Sequence, residues 1–190
     1  MSSPTKSKNT LKTATMRVAT FGLLAALAIA FSYLESFLPM TAFWIPPGAK
    51  PGFSNIVNMF TAAMMGFFPA MSIVLLKALF AGVTRGLTAF FMSLVGGILS
   101  TTAMYLCFHK TKKMGYVGIG MLCAVLHNLG QLLVAAVMVG NRSILGYLPP
   151  LLLCAIVTGF LTGSILKAVM PAVLKILPKA VLLPQKHKKS

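Results

Sequence analysis

Hydrophobic residues along this chain are gathered into six long runs that are separated by short polar segments. The runs cover residues 18–38, 53–67, 69–83, 88–108, 117–139 and 148–170. A helix needs about 20 residues to cross a hydrocarbon core of ~30 Å, because each residue adds about 1.5 Å. The pattern predicts an all-α integral membrane bundle over 18–177, between a basic segment at 1–17 and a basic tail at 178–190.

The second and third runs are shorter than the others, and Pro69 separates them. One interpretation is a single kinked helix over 53–83. Such a helix would be about 46 Å long at ~1.5 Å per residue, which exceeds the bilayer thickness without strong tilt. The other interpretation is a hairpin of two short helices, which makes six transmembrane helices.

The distribution of basic residues favours the hairpin. Lys and Arg residues are concentrated at 6–17, 110–113 and 167–189. With six crossings, all three clusters lie on the cytoplasmic side, as the positive-inside rule requires, whereas five crossings would put two of them outside. We therefore expect a multi-pass protein of the bacterial cytoplasmic membrane with both termini in the cytoplasm. The basic residues expected outside are Lys50, Arg85 and Arg142.

The overall composition agrees with a membrane protein. Hydrophobic residues make up 57% of the chain and charged residues 9%, against about 25% charged residues in soluble domains. The net charge of +16 comes mainly from segments that flank apolar runs, which indicates contact with lipid headgroups and argues against a nucleic-acid partner. A cleaved signal peptide ending near Ala28–Ala30 is an alternative for the first run. Its removal would leave five spans and spoil the charge asymmetry.

The acidic residues and cysteines exclude several enzyme classes. Glu35 is the only carboxylate side chain, so paired-carboxylate catalysis and ATP hydrolysis with acid-bound Mg²⁺ are excluded. Cys107, Cys123 and Cys154 lie in apolar runs without a metal-binding or paired spacing. We expect no enzyme activity from this chain alone, no cofactor and no metal.

Polar side chains at membrane depth are the candidate functional residues. A charged group there costs about 2.5–3.5 kcal/mol and is retained when it pairs or serves a function. Their positions predict one polar cavity open to the outside, and the excess of cations predicts a ligand with a carboxylate or phosphate group. Alternatively, Glu35 and Lys77 form an internal ion pair, Lys50 and Arg85 mark loop edges, and His127 bonds a neighbouring helix. The candidates are Glu35, Lys50, Asn55, Asn58, Lys77, Arg85, His127, Asn128 and Gln131.

Three helices carry stripes of small residues, which allow close helix–helix approach in lipid. For the fourth and sixth helices we expect packing within the chain. The stripe on the first helix is a candidate docking face for another membrane protein. The stripes are Gly22, Ala26 and Ala30 on the first helix, Ser93, Gly97 and Thr101 on the fourth, and Gly159 and Gly163 on the sixth.

Three segments carry a resemblance to a known family. Residues 47–57 match the pattern P-G-x-K-x-G-x-x-N-I-V, residues 96–97 are Gly-Gly, and residues 124–131 read Ala-Val-Leu-His-Asn-Leu-Gly-Gln. These segments resemble a bacterial membrane family described as heptaprenyl diphosphate synthase component I or as a transporter family. That family looks like the substrate-binding S components of energy-coupling factor (ECF) transporters. The resemblance implies an outward-facing pocket, and a coupling subunit that docks on the stripe at Gly22, Ala26 and Ala30.

Two functions follow from these observations. The first is a solute-binding subunit of an ECF-type importer, which is driven by a transmembrane coupling subunit and ATPases on other chains. The second is a non-catalytic membrane accessory subunit of isoprenoid or quinone metabolism. Prenyl chain elongation is similar across its enzymes in using Asp-rich motifs for Mg²⁺-diphosphate. This chain contains no Asp, so it cannot perform that reaction alone.

Overall fold

The structure is a computed structural model that describes residues 4–37, 52–109, 114–140 and 142–176. The described residues form helices and no strands, which confirms the all-α prediction. Two short 3₁₀ helices cover Glu35–Phe37 and Arg142–Tyr147. The α-helices are α1 (Pro4–Leu34), α2 (Ser54–Met64), α3 (Phe67–Arg85), α4 (Leu87–His109), α5 (Tyr116–Val139) and α6 (Leu148–Ile176).

Five helical segments in the described part of the chain are long and apolar enough to cross a membrane. These segments are Thr13–Phe37, Phe67–Arg85, Leu87–His109, Tyr116–Val139 and Ser143–Lys175. The protein is therefore a multi-pass membrane protein. The expected six helices are present, but α2 has only 11 residues and spans about 16 Å at ~1.5 Å per residue. It is too short to cross the bilayer alone.

Helix α2 lies at the centre of the bundle, where it contacts α1, α3, α4 and α6. Its polar residues share one face and its apolar residues the other, and nearly all of them are buried because helices surround α2 on several sides. The polar residues of α2 are consequently enclosed by protein and kept away from lipid. Its buried residues are Ser54, Asn55, Val57, Asn58, Met59, Phe60, Thr61, Ala62 and Met64.

The second and third apolar runs form two helices, as the hairpin interpretation predicted, but Pro69 is not the break between them. The chain turns at Gly66, whose φ of 97° is accessible to glycine and strained for other residues. The backbone N–H groups of Met65 and Gly66 both donate to the carbonyl oxygen of Thr61 and close α2. Pro69 lies in the first turn of α3, where a missing N–H is tolerated.

Helices α3, α4, α5 and α6 pack against one another in chain order, and glycines bring their backbones together. A Cβ on Gly97 of the α4 stripe would overlap the side chain of Val74 on α3, and one on the adjacent Gly96 would lie 2.6 Å from the carbonyl oxygen of His127 on α5. A Cβ on Gly159 of α6 would lie 2.5 Å from the Cα of Met121. Such contacts leave no room for a side chain. The prediction that the stripes on α4 and α6 serve packing within the chain is confirmed.

The stripe on α1 has a different environment. Helix α1 packs against α2 and α3 through a face that includes Leu24 and Ala28. Gly22, Ala26 and Ala30 lie on another face and are exposed. A Cβ on Gly22 would meet no atom within 4 Å. The described part of the chain therefore leaves this stripe uncovered.

Candidate functional site

A cavity of about 240 Å³ lies at the end of the bundle where α1 ends, α2 begins and the chain turns from α3 into α4. The middle of α5 forms its floor. Five helices thus contribute to one site, and most of the lining side chains are polar. The lining residues are Ser32, Glu35, Gly52, Ser54, Lys77, Arg85, Thr88, Ala89, Met92, Ser93, His127 and Gln131.

Five of the side chains expected from the sequence line this cavity: Glu35, Lys77, Arg85, His127 and Gln131. Glu35 begins the short helix after α1, and Lys77 lies midway along α3. His127 and Gln131 are four residues apart on α5, so both present their side chains on the same face. The structure therefore brings together residues that are far apart in the sequence.

Glu35 holds the beginning of α2. Its Oε1 accepts a hydrogen bond of 2.7 Å from the Ser54 backbone N–H, and its Oε2 lies 3.4 Å from the Ser54 hydroxyl. The first N–H groups of a helix have no partner within the helix and carry a partial positive charge. The carboxylate, which is 3% exposed, is thereby stabilised by the end of a helix. The internal Glu35–Lys77 ion pair considered as an alternative from the sequence is an attraction at longer range, since the described hydrogen bonds of the carboxylate are to Ser54.

Lys77 is 7% exposed, although it carries an ammonium group at the centre of a membrane helix. Its Nζ donates one hydrogen bond of 3.3 Å to the side-chain oxygen of Asn55. An ammonium group has three N–H donors, so this contact uses only part of its capacity. Glu35 is near enough to act electrostatically on both Lys77 and Arg85. One carboxylate therefore faces two cations around the cavity.

His127 and Gln131 form a buried pair. Gln131 Nε2 lies 3.0 Å from His127 Nε2, and the two residues are 5% and 7% exposed, respectively. Gly96 on α4 packs directly against this pair, because its Cβ would lie 3.1 Å from His127 Nδ1 and 3.2 Å from Gln131 Cγ. The close approach of α4 to α5 thus fixes where the pair lies in the cavity wall.

Three of the expected site residues lie outside the lining of this cavity, and a fourth is not among the residues that the structure describes. Asn58 donates to the hydroxyl of Thr101 on α4 and serves packing between helices. Asn55 and Asn128 line a separate void of about 10 Å³ between α2, α5 and α6, which is large enough for about one water molecule. Lys50 lies outside the described residues.

Comparison with known proteins gives one family. A model of the family heptaprenyl diphosphate synthase component I matches residues 24–169. The chain belongs to this family. The matched range begins within α1 and ends within α6, so it contains every residue that lines the cavity. No curated protein and no solved structure matches the chain.

Several residues that line the cavity were not identified from the sequence. Ser32, Ser54 and Thr88 contribute hydroxyl groups, and Met92 contributes an apolar surface. A single Ser or Thr in an apolar run carries little signal, because most such hydroxyls bond to the preceding turn of their own helix. Thr84 does so with the carbonyl oxygen of Phe80. Ser93 had been noted only for its place in a small-residue stripe, and Gly52 and Ser54 only as part of the segment 47–57 that carries the family resemblance.

Beside the Glu35 carboxylate, the cavity is lined mainly by groups that can donate hydrogen bonds. Its lining combines an ammonium, a guanidinium, an imidazole, an amide and hydroxyl groups, all of which can donate hydrogen bonds to a carboxylate or phosphate. In the described ranges, His, Cys, Asp and Glu residues form no group that could hold a metal ion. The lining therefore favours recognition of a negatively charged molecule.

Proposed function

We propose that this chain is a substrate-binding membrane subunit of an ECF-type importer, which captures a small anionic solute from outside the cell. In this function it is not an enzyme, and ATPases on other chains supply the energy. The observation that carries the proposal is the cavity that opens where α2 begins, with Lys77 and Arg85 facing a single carboxylate.

The charges in the cavity support an anionic ligand. Glu35 is the nearest countercharge to Lys77, but its oxygens are bound to Ser54 at the beginning of α2. A buried cation is stabilised by a partner or by water, and burying it without either is costly. A carboxylate or phosphate between Lys77 and Arg85 would supply that partner. A protein that only anchors others in the membrane has no need for these charges.

The size of the cavity supports a small metabolite. A volume of about 240 Å³ is below the ~300–1,000 Å³ of pockets that hold drug-sized ligands. A polyprenyl chain is too long for such a space. The size of the cavity therefore supports capture of a small solute more than storage of a prenyl intermediate.

The family description favours a second candidate function, a non-catalytic accessory subunit of a heptaprenyl diphosphate synthase. In this case the partner is a second synthase component that supplies the catalytic groups. The chain lacks the Asp residues that would bind Mg²⁺-diphosphate. Its contribution would be confined to placing that partner at the membrane.

Native mass spectrometry of the purified full-length protein separates the two functions. For a solute-binding subunit, we expect a co-purified anion small enough for the cavity, released on mild activation. For a synthase accessory, we expect a bound prenyl lipid or a second protein component and no small anion. Finding only the second result would reject the transport proposal.

The transport proposal also requires a defined orientation. We propose that both termini are cytoplasmic and that the cavity opens outside. The chain enters the short α2 beside the cavity and begins α3 at the opposite end of the bundle, so the passage through α2 still changes sides. The beginning of α1 and the end of α4 lie at that opposite end, and the basic clusters adjoin these two helix ends in the sequence. A cysteine introduced at position 142 should react with an impermeant maleimide in intact cells, and one at position 112 should react only after lysis. Equal labelling, or the reverse pattern, would contradict this topology.

A further inference from the structure

We propose that the cavity selects anions that also carry a hydrogen-bond donor, and that Gln131 makes this selection. The ligand class is small hydroxy acids, amino acids or hydroxylated phosphate esters. This inference rests on the proposed solute-binding function and adds to it a second recognition element beside the two cations.

The orientation of the Gln131 side chain follows from its contact with His127. The two atoms that meet at 3.0 Å are both nitrogens, Gln131 Nε2 and His127 Nε2. An amide nitrogen only donates hydrogen bonds, so Gln131 donates and His127 Nε2 accepts. The amide group is planar, and its oxygen therefore points away from the imidazole.

The Gln131 oxygen is an unused acceptor. Oε1 is buried and has no hydrogen-bond partner in the part of the chain that the structure describes. Gln131 as a whole is 5% exposed and lines the cavity. A buried polar atom without a partner is unfavourable, and a group that supplies the missing hydrogen bond gains more than it would at an exposed site. Because Gln131 is part of the cavity wall, a donor on a bound ligand can supply this bond when the amide turns toward it.

The two cations and the acceptor oxygen of Gln131 require different groups on the ligand, and together these requirements define the ligand class. Lys77 and Arg85 require a negative group, whereas the Gln131 oxygen requires an N–H or O–H group. A simple fatty acid satisfies only the first requirement. A hydroxy acid or amino acid of similar size satisfies both. A site that hydrogen-bonds a particular group discriminates strongly against an analogue that lacks it.

The test compares probes that differ only in the donor. One set is isocaproate, leucic acid and leucine, which share a carbon skeleton and carry no donor, a hydroxyl or an ammonium group beside the carboxylate. The second set is propyl phosphate and glycerol phosphate. Affinities are measured by titration calorimetry on the full-length protein in nanodiscs. We expect the donor-bearing member of at least one set to bind about 10-fold or more tightly than its donor-free analogue.

Gln131→Met is the decisive variant, because methionine keeps the length of the side chain and removes the amide. We expect the preference, which is the ratio of the affinities for the donor-bearing and the donor-free probe, to fall to near unity. Leu132→Met is the matched control on the same helix, since Leu132 packs against Leu151 away from the cavity. It should keep the wild-type preference. Gln131→Asn, which withdraws the amide, should also lose the preference and serves if Gln131→Met does not fold.

The outcomes separate this inference from the proposed function. Binding without a preference in wild type, or a preference that survives Gln131→Met and Gln131→Asn, overturns the role of Gln131 and leaves anion capture standing. If no probe binds and no anion co-purifies, both proposals fail. A purely structural role for Gln131 would change all affinities together and leave their ratio unchanged.

Discussion

Replacing Lys77 with methionine is expected to weaken binding of the anionic ligand by roughly 10- to 150-fold. This range corresponds to a lost charge-assisted hydrogen bond of about 1.5–3 kcal/mol. Methionine keeps much of the apolar stem that packs within the bundle, so the helices should remain in place. The Asn55 oxygen loses the hydrogen bond from Nζ, which is a local cost. The main change is the loss of a cation from the cavity wall.

The measurement is the dissociation constant of the co-purified anion, or of the best probe, for variants purified in the same detergent. Lys167→Met is the matched control, because Lys167 is exposed on α6 and the substitution is identical. It should bind like wild type. His127→Ala should weaken binding by a similar factor to Lys77→Met. If both cavity variants bind like wild type and remain folded, Lys77 and His127 serve only contacts between helices.

Replacing Ala26 with tryptophan is expected to abolish capture of a transmembrane coupling subunit. Gly22, Ala26 and Ala30 form an exposed stripe of small residues on α1. Small stripes let the backbones of two helices approach closely, and a large ring at the centre separates them. Ala26 lies outside the buried core of this chain, so the substitution should leave the fold and ligand binding unchanged. Ala26→Leu should show the same effect to a smaller degree.

Leu27→Trp is the matched control for the docking face. Leu27 is the next residue on α1, is 41% exposed and points about 100° away around the helix. It already carries a large side chain, so a further increase should not disturb a close contact on the stripe. The readout is the amount of a co-purified membrane partner for each variant. Undiminished capture by Ala26→Trp would show that α1 is not the docking face.

The helices could be predicted well from the sequence, since a chain in lipid must satisfy its backbone groups within each helix. Runs of apolar residues of sufficient length therefore mark helices directly. The break between α2 and α3 was placed wrongly at Pro69, because proline tolerates the first turn of a helix. Gly66 with positive φ is the actual break. The central position of α2 could not be read from its composition alone, since a buried helix and a lipid-facing helix are both apolar.

Several residues of the candidate site could be predicted from the sequence, but the contacts between them could not. Lys77 and His127 were identified because ionisable groups at membrane depth must face protein or water. The hydrogen-bond partners within the site were not identified, because the Glu35–Ser54 and Lys77–Asn55 contacts join residues that are 19 and 22 positions apart in the sequence. Asn58 is a further example of a contact that spacing along the chain does not reveal. It shares a helix face with Asn55 but bonds to Thr101 on another helix.

The sequence by itself determined that this is a multi-helix membrane protein with one carboxylate and polar groups at membrane depth. These properties follow from composition and spacing, and lipid imposes them on any fold. Only the tertiary structure decided which polar groups share a cavity and that Glu35 holds the beginning of α2. It also decided that the described helices pack over the stripes on α4 and α6 and leave the stripe on α1 uncovered. These features depend on which helices become neighbours, and that is set by the packing of glycines and side chains between distant segments.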